Sequence, residues 1–252
     1  MTELKRVVGL KAMILLCINA IVGTGIFFLP SIGAYYGGPA SLISWIIIGL
    51  LAVVMSFIFA ELVGIYPKAG GVFEYARQAF GEFPSFLMGW ISWLVANITI
   101  SMLIVGALNY LLPTTGVVIK IIISVLLLFF FNFVSYIGME TSKVILIIFS
   151  ILTISIPLGL IIFGMPKIDF SNFRPFFVYP ISSIFLTMFF ISETFIGWES
   201  ITFLSEEAKD PKKVMPKSII IATLFIVITS ILLVFVSLGV ICLLYTSPSP
   251  RD

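Results

Sequence analysis

Long apolar runs separated by short polar segments dominate this sequence. A run of about 20 apolar residues is enough to cross a bilayer as a helix. Runs of this kind cover residues 12–36, 40–65, 84–112, 117–138, 144–165, 180–204 and 218–241. The pattern therefore predicts an all-α, polytopic membrane protein with about seven transmembrane helices.

Two of these predicted spans are interrupted by glycine near their middle. The first contains Gly23 and Gly25 on either side of Thr24, and the sixth contains Gly197. Glycine costs a helix about 1 kcal/mol relative to alanine, and a backbone opened inside a bilayer must find new polar partners. Glycine-interrupted spans at corresponding places in two halves of a membrane protein indicate a transporter's central site. We therefore predict that helices 1 and 6 are broken near the midplane and bind a solute there.

The composition excludes several classes of function. With 60% hydrophobic and 10% charged residues, the chain cannot cover a water-soluble globule with polar surface. The chain has no histidine and only two cysteines, which argues against a metal site, a Ser-His-Asp triad and other histidine-based catalysis. The net charge of +2 comes without a basic stripe interleaved with aromatic residues. We predict that the protein is not an enzyme, uses no cofactor and binds no nucleic acid.

Lysine and arginine are distributed unevenly between the two sides of the predicted spans. One side, which includes the N-terminal segment, carries Lys5, Arg6, Lys11, Lys68, Arg77, Lys143, Lys209, Lys212, Lys213 and Lys217. The other side carries Lys120, Lys167 and Arg174. Because basic short loops stay in the cytoplasm, we predict a multi-pass protein of the cell membrane with a cytoplasmic N-terminus. Between spans two and three we expect a short interfacial helix with Glu74 and Arg77 on its wet face.

Several short motifs follow one another in a fixed order. They are Gly-Thr-Gly-Ile-Phe-Phe-Leu-Pro at 23–30, Tyr-Pro-Lys-Ala-Gly-Gly at 66–71, and Phe-Ile-Gly-Trp-Glu at 195–199, followed by Glu206-Glu207 and Asp210-Pro211. In this order and at these helix positions the sequence resembles amino acid permeases of the amino acid–polyamine–organocation superfamily over nearly all of residues 5–241. The resemblance implies the first five-helix inverted repeat plus two helices of the second, in a single incomplete permease domain. It also implies a secondary active transporter that moves amino acids by alternating access.

Helix dipoles indicate how the two breaks would hold an amino acid. The outer half of helix 1 begins at about Gly25, and its free N–H groups and positive dipole end suit a carboxylate. The outer half of helix 6 ends near Phe190 to Thr194, where free carbonyls and the negative dipole end suit an ammonium group. The common alternative for such glycines is close helix packing, which we expect instead at Gly49, Gly106 and Gly159.

The resemblance adds individual contacts to this site. It implies main-chain and hydroxyl contacts from Ile21, Thr24 and Gly25, a carbonyl contact from Ile196 and a side-chain contact from Asn97. An interhelical hydrogen bond is the alternative role for Asn97. The complete predicted substrate site is Ile21, Gly23, Thr24, Gly25, Asn97, Phe190, Glu193, Thr194, Ile196 and Gly197.

Two acidic residues in the sixth span are candidates for gating or proton-linked roles. Resembling permeases often carry an acidic residue at the position of Glu199, whereas Glu193 stands where the family commonly has an aromatic gate over the substrate. Glu193 could face a cationic group or a proton, or it could bond a neighbouring helix. The chain has no lysine between Lys143 and Lys167, which disfavours coupling by a helix-5 lysine. Exchange, H⁺ symport and Na⁺ symport remain open.

The expected partners are an amino acid or related amine, the lipid bilayer, and H⁺ or Na⁺ as coupling ion. The alternative function is a non-transporting structural or regulatory membrane subunit. Residues 242–252 resemble one reading frame of a sequencing adapter, and we expect a non-native tail there, the alternative being a short proline-rich terminus.

Overall fold

A computed structural model describes residues 6–240 except Thr24 and Gly138, and for Ser135, Ile137 and residues 139–143 it describes the backbone only. The segment 242–252 lies outside the described residues. Ten α-helices follow one another in the described part: α1 Leu10–Ile21, α2 Gly25–Gly37, α3 Ser41–Ile65, α4 Val72–Phe80, α5 Glu82–Leu111, α6 Val117–Ile137, α7 Met139–Gly164, α8 Ser182–Ile191, α9 Trp198–Thr202 and α10 Pro211–Val240. The all-α class predicted from the sequence is confirmed.

Six helical stretches of the described residues are long and apolar enough to cross a membrane, and the first of them, Gly25–Ile65, has 41 residues. That stretch contains two crossings. A β-carbon built on Gly33 would lie 3.1 Å from Nε1 of Trp45, whereas twelve residues of continuous helix would separate them by about 18 Å. The chain therefore turns back at the short 3-10 segment Gly38–Ala40, where Gly38 has a φ of 57°. With the short helix α1 completing the first span, the predicted number of about seven crossings fits the structure.

The predicted bounds hold within a few residues except at the start of the last span. Helix α10 begins at Pro211, seven residues before the predicted start at 218. Residues 205–216 are highly charged, and their second half, from Pro211, is helical. Proline suits the first position of a helix, where its missing N–H leaves no bond unmade. The helix therefore extends from the membrane into the charged segment.

Helices α1, α3 and α10 build the packed centre of the described structure, where Met13, Trp45 and Ile219 are fully buried. Gly49 of α3 packs against α10, since a β-carbon there would lie 2.8 Å from Cγ1 of Val227. Such close approach matters because lipid supplies no hydrophobic driving force between helices, so packing and hydrogen bonds must hold them. The packing prediction is confirmed at Gly49. At Gly106 and Gly159 it is wrong for the described part of the chain, because β-carbons there would meet none of its atoms within 4 Å.

A second layer of contacts joins the ends of the spans on the side of the N-terminus. Val8 is fully buried and forms an isolated parallel bridge with Ala208. Its N–H donates to the carbonyl of Glu207 at 3.0 Å, and its own carbonyl accepts from the N–H of Lys209 at 3.0 Å. The start of span one is thereby fixed to the segment between spans six and seven.

The short helix α4 lies where an interfacial helix was predicted, but the expectation of a wet face for Glu74 is wrong. Its side chain is only 4% exposed. The carboxylate accepts hydrogen bonds from Arg77 Nη2 and Gln78 Nε2, both at 2.9 Å. Lys68 Nζ lies 3.8 Å away. These donors explain how an acidic side chain can be buried on α4.

We predict that the docking of α4 weakens in acid. Hydrogen bonds from Gln78 and Arg77 lower the pKa of the Glu74 carboxyl despite its burial. A lowered pKa in the folded state gives stability that is present above the unfolded value of about 4.3 and is lost as the pH falls through the folded pKa. Hydrogen exchange of the α4 amides should therefore accelerate as the pH falls below about 4.3, after correction for the intrinsic exchange rate.

Glu74→Gln should remove this acid dependence, whereas Glu82→Gln, at the exposed start of α5, should leave it in place. The same pH profile in Glu74→Gln and in the parent would contradict the assignment.

Candidate functional site

The first span is interrupted between α1 and α2. Helix α1 ends at Ile21, and the N–H of Val22 still donates to the carbonyl of Ile18 at 2.7 Å. Gly23 follows as an exposed bend, and its N–H donates to the carbonyl of Ile21 at 2.9 Å. Thr24 lies outside the described residues. Helix α2 begins at Gly25, as predicted, so its first amide groups face the gap between the two helices.

The second interruption lies between α8 and α9. Helix α8 ends at Ile191 and passes into a 3-10 turn, Ser192–Phe195. Ile196 is extended, and Gly197 has a φ of 153° and a ψ of −6°, a backbone conformation that favours glycine. Helix α9 then starts at Trp198, whose Nε1 donates to Oγ1 of Thr223 at 2.8 Å. The sixth span is thus broken at Gly197, as the sequence predicted.

The two interruptions are in direct contact with each other. A β-carbon on Gly25 would lie 2.9 Å from Cα of Thr194, and a β-carbon on Gly197 would lie 2.5 Å from the carbonyl oxygen of Ala20. Real β-carbons essentially never come this close to backbone atoms. Glycine is therefore needed at both positions because the backbones of spans one and six meet there.

The outer half-helices α2 and α8 pack closely along their whole contact. β-Carbons built on Gly33 and Gly37 would lie 3.6 Å from Cγ2 of Ile191 and 2.9 Å from Oγ1 of Thr187. With Gly25 beside Thr194, residue numbers rise along α2 as they fall along α8, so the two helices are antiparallel. The N-terminal end of α2 consequently lies beside the C-terminal end of α8. The positive end of one helix dipole and the negative end of the other are adjacent at the break.

A buried hydroxyl lies at this meeting point. Thr194 is 2% exposed, and its Oγ1 has no hydrogen-bond partner within the described structure. The same oxygen is 3.1 Å from the β-carbon position of Gly25, at the start of α2. Six other buried side-chain atoms of the described residues, among them Oγ1 of Thr187, also lack a partner. The Thr194 hydroxyl is thus available to a polar group at the break.

The structure brings together most of the predicted substrate residues. Ile21, Gly25, Thr194 and Gly197 are buried where the two breaks meet, and Gly23 lies exposed at the first break. Glu193 and Ile196 also belong to the second break, and both side chains are exposed.

Three other candidates lie apart from this contact. The ring of Phe190 stacks on Tyr36 with centroids 4.8 Å apart, one turn before the break. Asn97 is exposed on α5, and its Nδ2 donates to the carbonyl of Trp93 in its own helix at 2.7 Å. Glu199 is half-buried in α9, where its carbonyl accepts a hydrogen bond from Oγ1 of Thr202 at 2.6 Å. The roles of these three residues stay predictions.

Sequence reasoning missed the surface that holds α2 against α8. Gly25, Gly33 and Gly37 share one face of α2 because they are spaced by eight and four residues. Thr187 and Ile191 of α8, with Thr194 of the turn that follows it, form the matching surface. The repeat of small residues at helical spacing was visible in the sequence and is typical of close helix packing in membranes. Which helix it contacts could not be read from the sequence.

Metal ligation has no support among the described residues, where no group of three or more His, Cys, Asp or Glu side chains could hold an ion. A groove of about 560 Å³ lies between α4 and α5, lined by four aromatic rings together with Glu82, Ser85 and Gly89. The ends of the broken helices do not line this groove. We therefore place the candidate site at the breaks.

Comparison with known proteins identifies the family to which this chain is similar. The chain matches the family described as amino acid permease over residues 8–247. It is 27% identical to the branched-chain amino acid permease BcaP of Bacillus subtilis over 95% of this chain, and 30% identical to the uncharacterized amino acid permease YecA of the same organism over 94%. It is also 28% identical to a putative arginine/ornithine antiporter of Escherichia coli over 94% of this chain.

This chain belongs to the amino acid permease family. Each of the three alignments covers 56% of the relative's own length, so the chain spans about half the length of the curated relatives it matches. Members of this family are membrane proteins that transport amino acids.

Proposed function

We propose that this chain forms the substrate-binding part of a secondary active transporter for amino acids. The observation that carries the proposal is the contact between the two breaks, where the N-terminal end of α2 lies beside the C-terminal end of α8. An amino acid has an anionic carboxylate and a cationic ammonium group on one carbon. The first suits the free N–H groups of α2 and the second suits the carbonyl end of α8. The unpaired Oγ1 of Thr194 offers one further hydrogen bond at the same place.

The transport mechanism belongs to the same proposal. Alternating access requires half-helices that can tilt about the binding site. The breaks at Gly23 and Gly197 provide two such hinges, while the close packing of α2 against α8 joins the outer halves into one unit.

We propose that the chain contains a first inverted repeat and two helices of a second. In this arrangement the side of the spans that carries most of the lysine and arginine residues faces the cytoplasm. H⁺ symport, Na⁺ symport and exchange are all compatible with it.

The names of the relatives support an amino acid as substrate. They include a branched-chain permease and arginine/ornithine antiporters. Another relative is a methylthioribose transporter, so the family resemblance does not by itself fix the substrate.

Gly23 gives a sharper test of the site than Gly25. A β-carbon on Gly25 would press on Thr194, so a substitution there would disturb packing as well as binding. A β-carbon on Gly23 would meet no atom within 4 Å, and Gly23 has no positive φ. Gly23→Ala should therefore leave the protein folded while adding a methyl group at the first break, two residues before the start of α2, where we propose that the substrate carboxylate binds.

We expect Gly23→Ala to keep the parent's melting temperature and to lose stabilisation by amino acids. A ligand at about one hundred times its Kd stabilises a protein by about 2.7 kcal/mol, which a thermal-shift assay on the carrier encoded by the complete gene can resolve. The matched control is Gly106→Ala, in α5, where a β-carbon also meets open space. It should respond to amino acids like the parent.

Two outcomes would count against the proposal. Unchanged amino acid binding by Gly23→Ala would move the site away from the first break. Absence of stabilisation of the parent by any common amino acid would instead support a non-transporting membrane subunit.

A further inference from the structure

Glu193 is an acidic residue in the middle of an apolar span. It is the second residue of the 3-10 turn that follows α8. The span Ser182–Thr202 is 21 residues long, and Glu193 lies about 17 Å along it, close to the middle of a bilayer core of about 30 Å. A charged side chain at that depth is costly and is normally retained for function.

The carboxylate of Glu193 is exposed beside the break. Its neighbour Thr194 is 2% exposed against α2, whereas Phe189 and Ile196 on the other side of the turn are 74% and 54% exposed. Glu193 shares that exposed side. The side chain therefore lies outside the packed contact between α2 and α8, on the turn that directly follows α8.

The described part of the chain provides no basic partner for this carboxylate. Among the described residues the carboxylate of Glu193 makes no hydrogen bond or ion pair. The sequence contains no lysine, arginine or histidine between Lys11 and Lys68, or between Arg174 and Lys209. These stretches supply nearly all of α1 and the whole of α2, α3, α8 and α9. The basic residues of α10, Lys212, Lys213 and Lys217, all lie in its first two turns.

The wall around Glu193 is thus negative from two sources. The C-terminal end of α8 carries the negative end of its dipole, and the carboxylate follows two residues later. The α-ammonium group of an amino acid can donate hydrogen bonds to the free carbonyls at the C-terminal end of α8. A second positive group on the substrate can then pair with the Glu193 carboxylate.

We propose that Glu193 makes this site selective for amino acids with a cationic side chain. The proposal rests on the proposed function, because it takes the α-carboxylate to bind at α2 and the α-ammonium group at α8. The side-chain cation of lysine, ornithine or arginine then pairs with the Glu193 carboxylate. Neutral amino acids leave that carboxylate unpaired at mid-membrane, which lowers their affinity.

The test compares L-lysine with L-norleucine, whose four-carbon side chain lacks the ammonium group. Binding of each is measured with the carrier encoded by the complete gene, in the parent and in E193Q, E193D and E61Q. Glu61 is a matched control because it is an exposed acid near the end of α3. We expect the parent and E61Q to bind lysine at least about tenfold more tightly than norleucine, in line with a hydrogen bond to a charged group.

E193Q should lose at least about tenfold in lysine affinity and change norleucine affinity by less than about threefold. E193D keeps the charge and should keep the preference for lysine. Equal lysine-to-norleucine ratios in the parent and E193Q would overturn the selectivity role of Glu193.

The parent alone provides a second test that does not depend on a variant folding. A parent that binds norleucine as tightly as lysine overturns the inference and leaves the proposed function standing. A parent that binds neither of them, nor any other common amino acid, overturns the proposed function and the inference together.

Discussion

Gly197→Ala is expected to destabilise the fold severely and to abolish substrate binding. Its φ of 153° is rarely adopted by residues with a side chain, and holding such a conformation costs about 1–3 kcal/mol. The new methyl group would also lie 2.5 Å from the carbonyl oxygen of Ala20. Because that oxygen belongs to the backbone of α1, no side-chain rotation can relieve the contact. Overpacking of this kind adds about 1–3 kcal/mol, so the two costs together reach a few kcal/mol.

Thermal unfolding in detergent measures the first effect, and amino acid binding measures the second. Gly159→Ala is the matched control, since Gly159 lies inside α7, five residues before its end, and a β-carbon there meets no atom of the described residues within 4 Å. It should be neutral or more stable by up to about 1 kcal/mol, because alanine favours helix over glycine. A Gly197→Ala variant that melts like the parent would show that spans one and six do not meet at this point.

Gly71→Ala is expected to release α4 from α9. Gly71 precedes α4 with a φ of 46° and a ψ of −120°, which an alanine adopts only with strain. A β-carbon on Gly71 would overlap Oγ1 of Thr202 in α9. Limited proteolysis should then cut residues 66–80 faster than in the parent, and the melting temperature should fall.

The contact at Gly71 differs from the one at Gly197 because the overlapping atom belongs to a side chain. The double variant Gly71→Ala/Thr202→Ala removes the overlapping threonine side chain, so it should regain part of the stability that Gly71→Ala loses. The backbone strain at residue 71 remains in the double variant. Thr202→Ala alone loses the hydrogen bond from Oγ1 to the carbonyl of Glu199. Gly64→Ala, where a β-carbon makes an ordinary 3.6 Å contact with Cγ of Pro216, serves as the control. Proteolysis of Gly71→Ala at the parental rate would contradict the close docking of α4 on α9.

The two breaks illustrate what local sequence can predict. Glycine near the middle of an apolar span weakens the helix at that residue, and this depends on the residue and its neighbours alone. The sequence therefore predicted the interruption at Gly23–Gly25 and the one at Gly197, together with the start of α2 at Gly25. The number of crossings was predictable for the same reason, because the length of an apolar run is read directly from the chain.

The functions of individual glycines could not be separated in the same way. Gly23 and Gly25 are two residues apart, yet a β-carbon on Gly23 meets open space and one on Gly25 presses on Thr194. Gly49 packs against α10, whereas Gly106 faces open space. Each difference depends on which helix passes nearby, and that helix is distant in the sequence.

The prediction that Glu74 faces water was wrong because it used local sequence alone. Glu74 and Arg77 lie on one short helix, as predicted, and the structure adds that they form an ion pair. The spacing of the two residues did not predict that Glu74 is buried, because burial depends on how α4 lies against the rest of the chain. Hydrogen bonds from Arg77 and Gln78 compensate the carboxylate for the loss of water.

The sequence by itself determined the all-helical membrane class, the approximate spans, the broken helices and the resemblance to amino acid permeases. These features follow from composition, periodicity and short motifs, which are local properties of the chain. The tertiary structure decided that the two breaks touch, that α2 and α8 are antiparallel, and that Glu193 is exposed beside their ends. Those facts depend on contacts between residues about 170 positions apart in the sequence, and such contacts arise only when the helices pack.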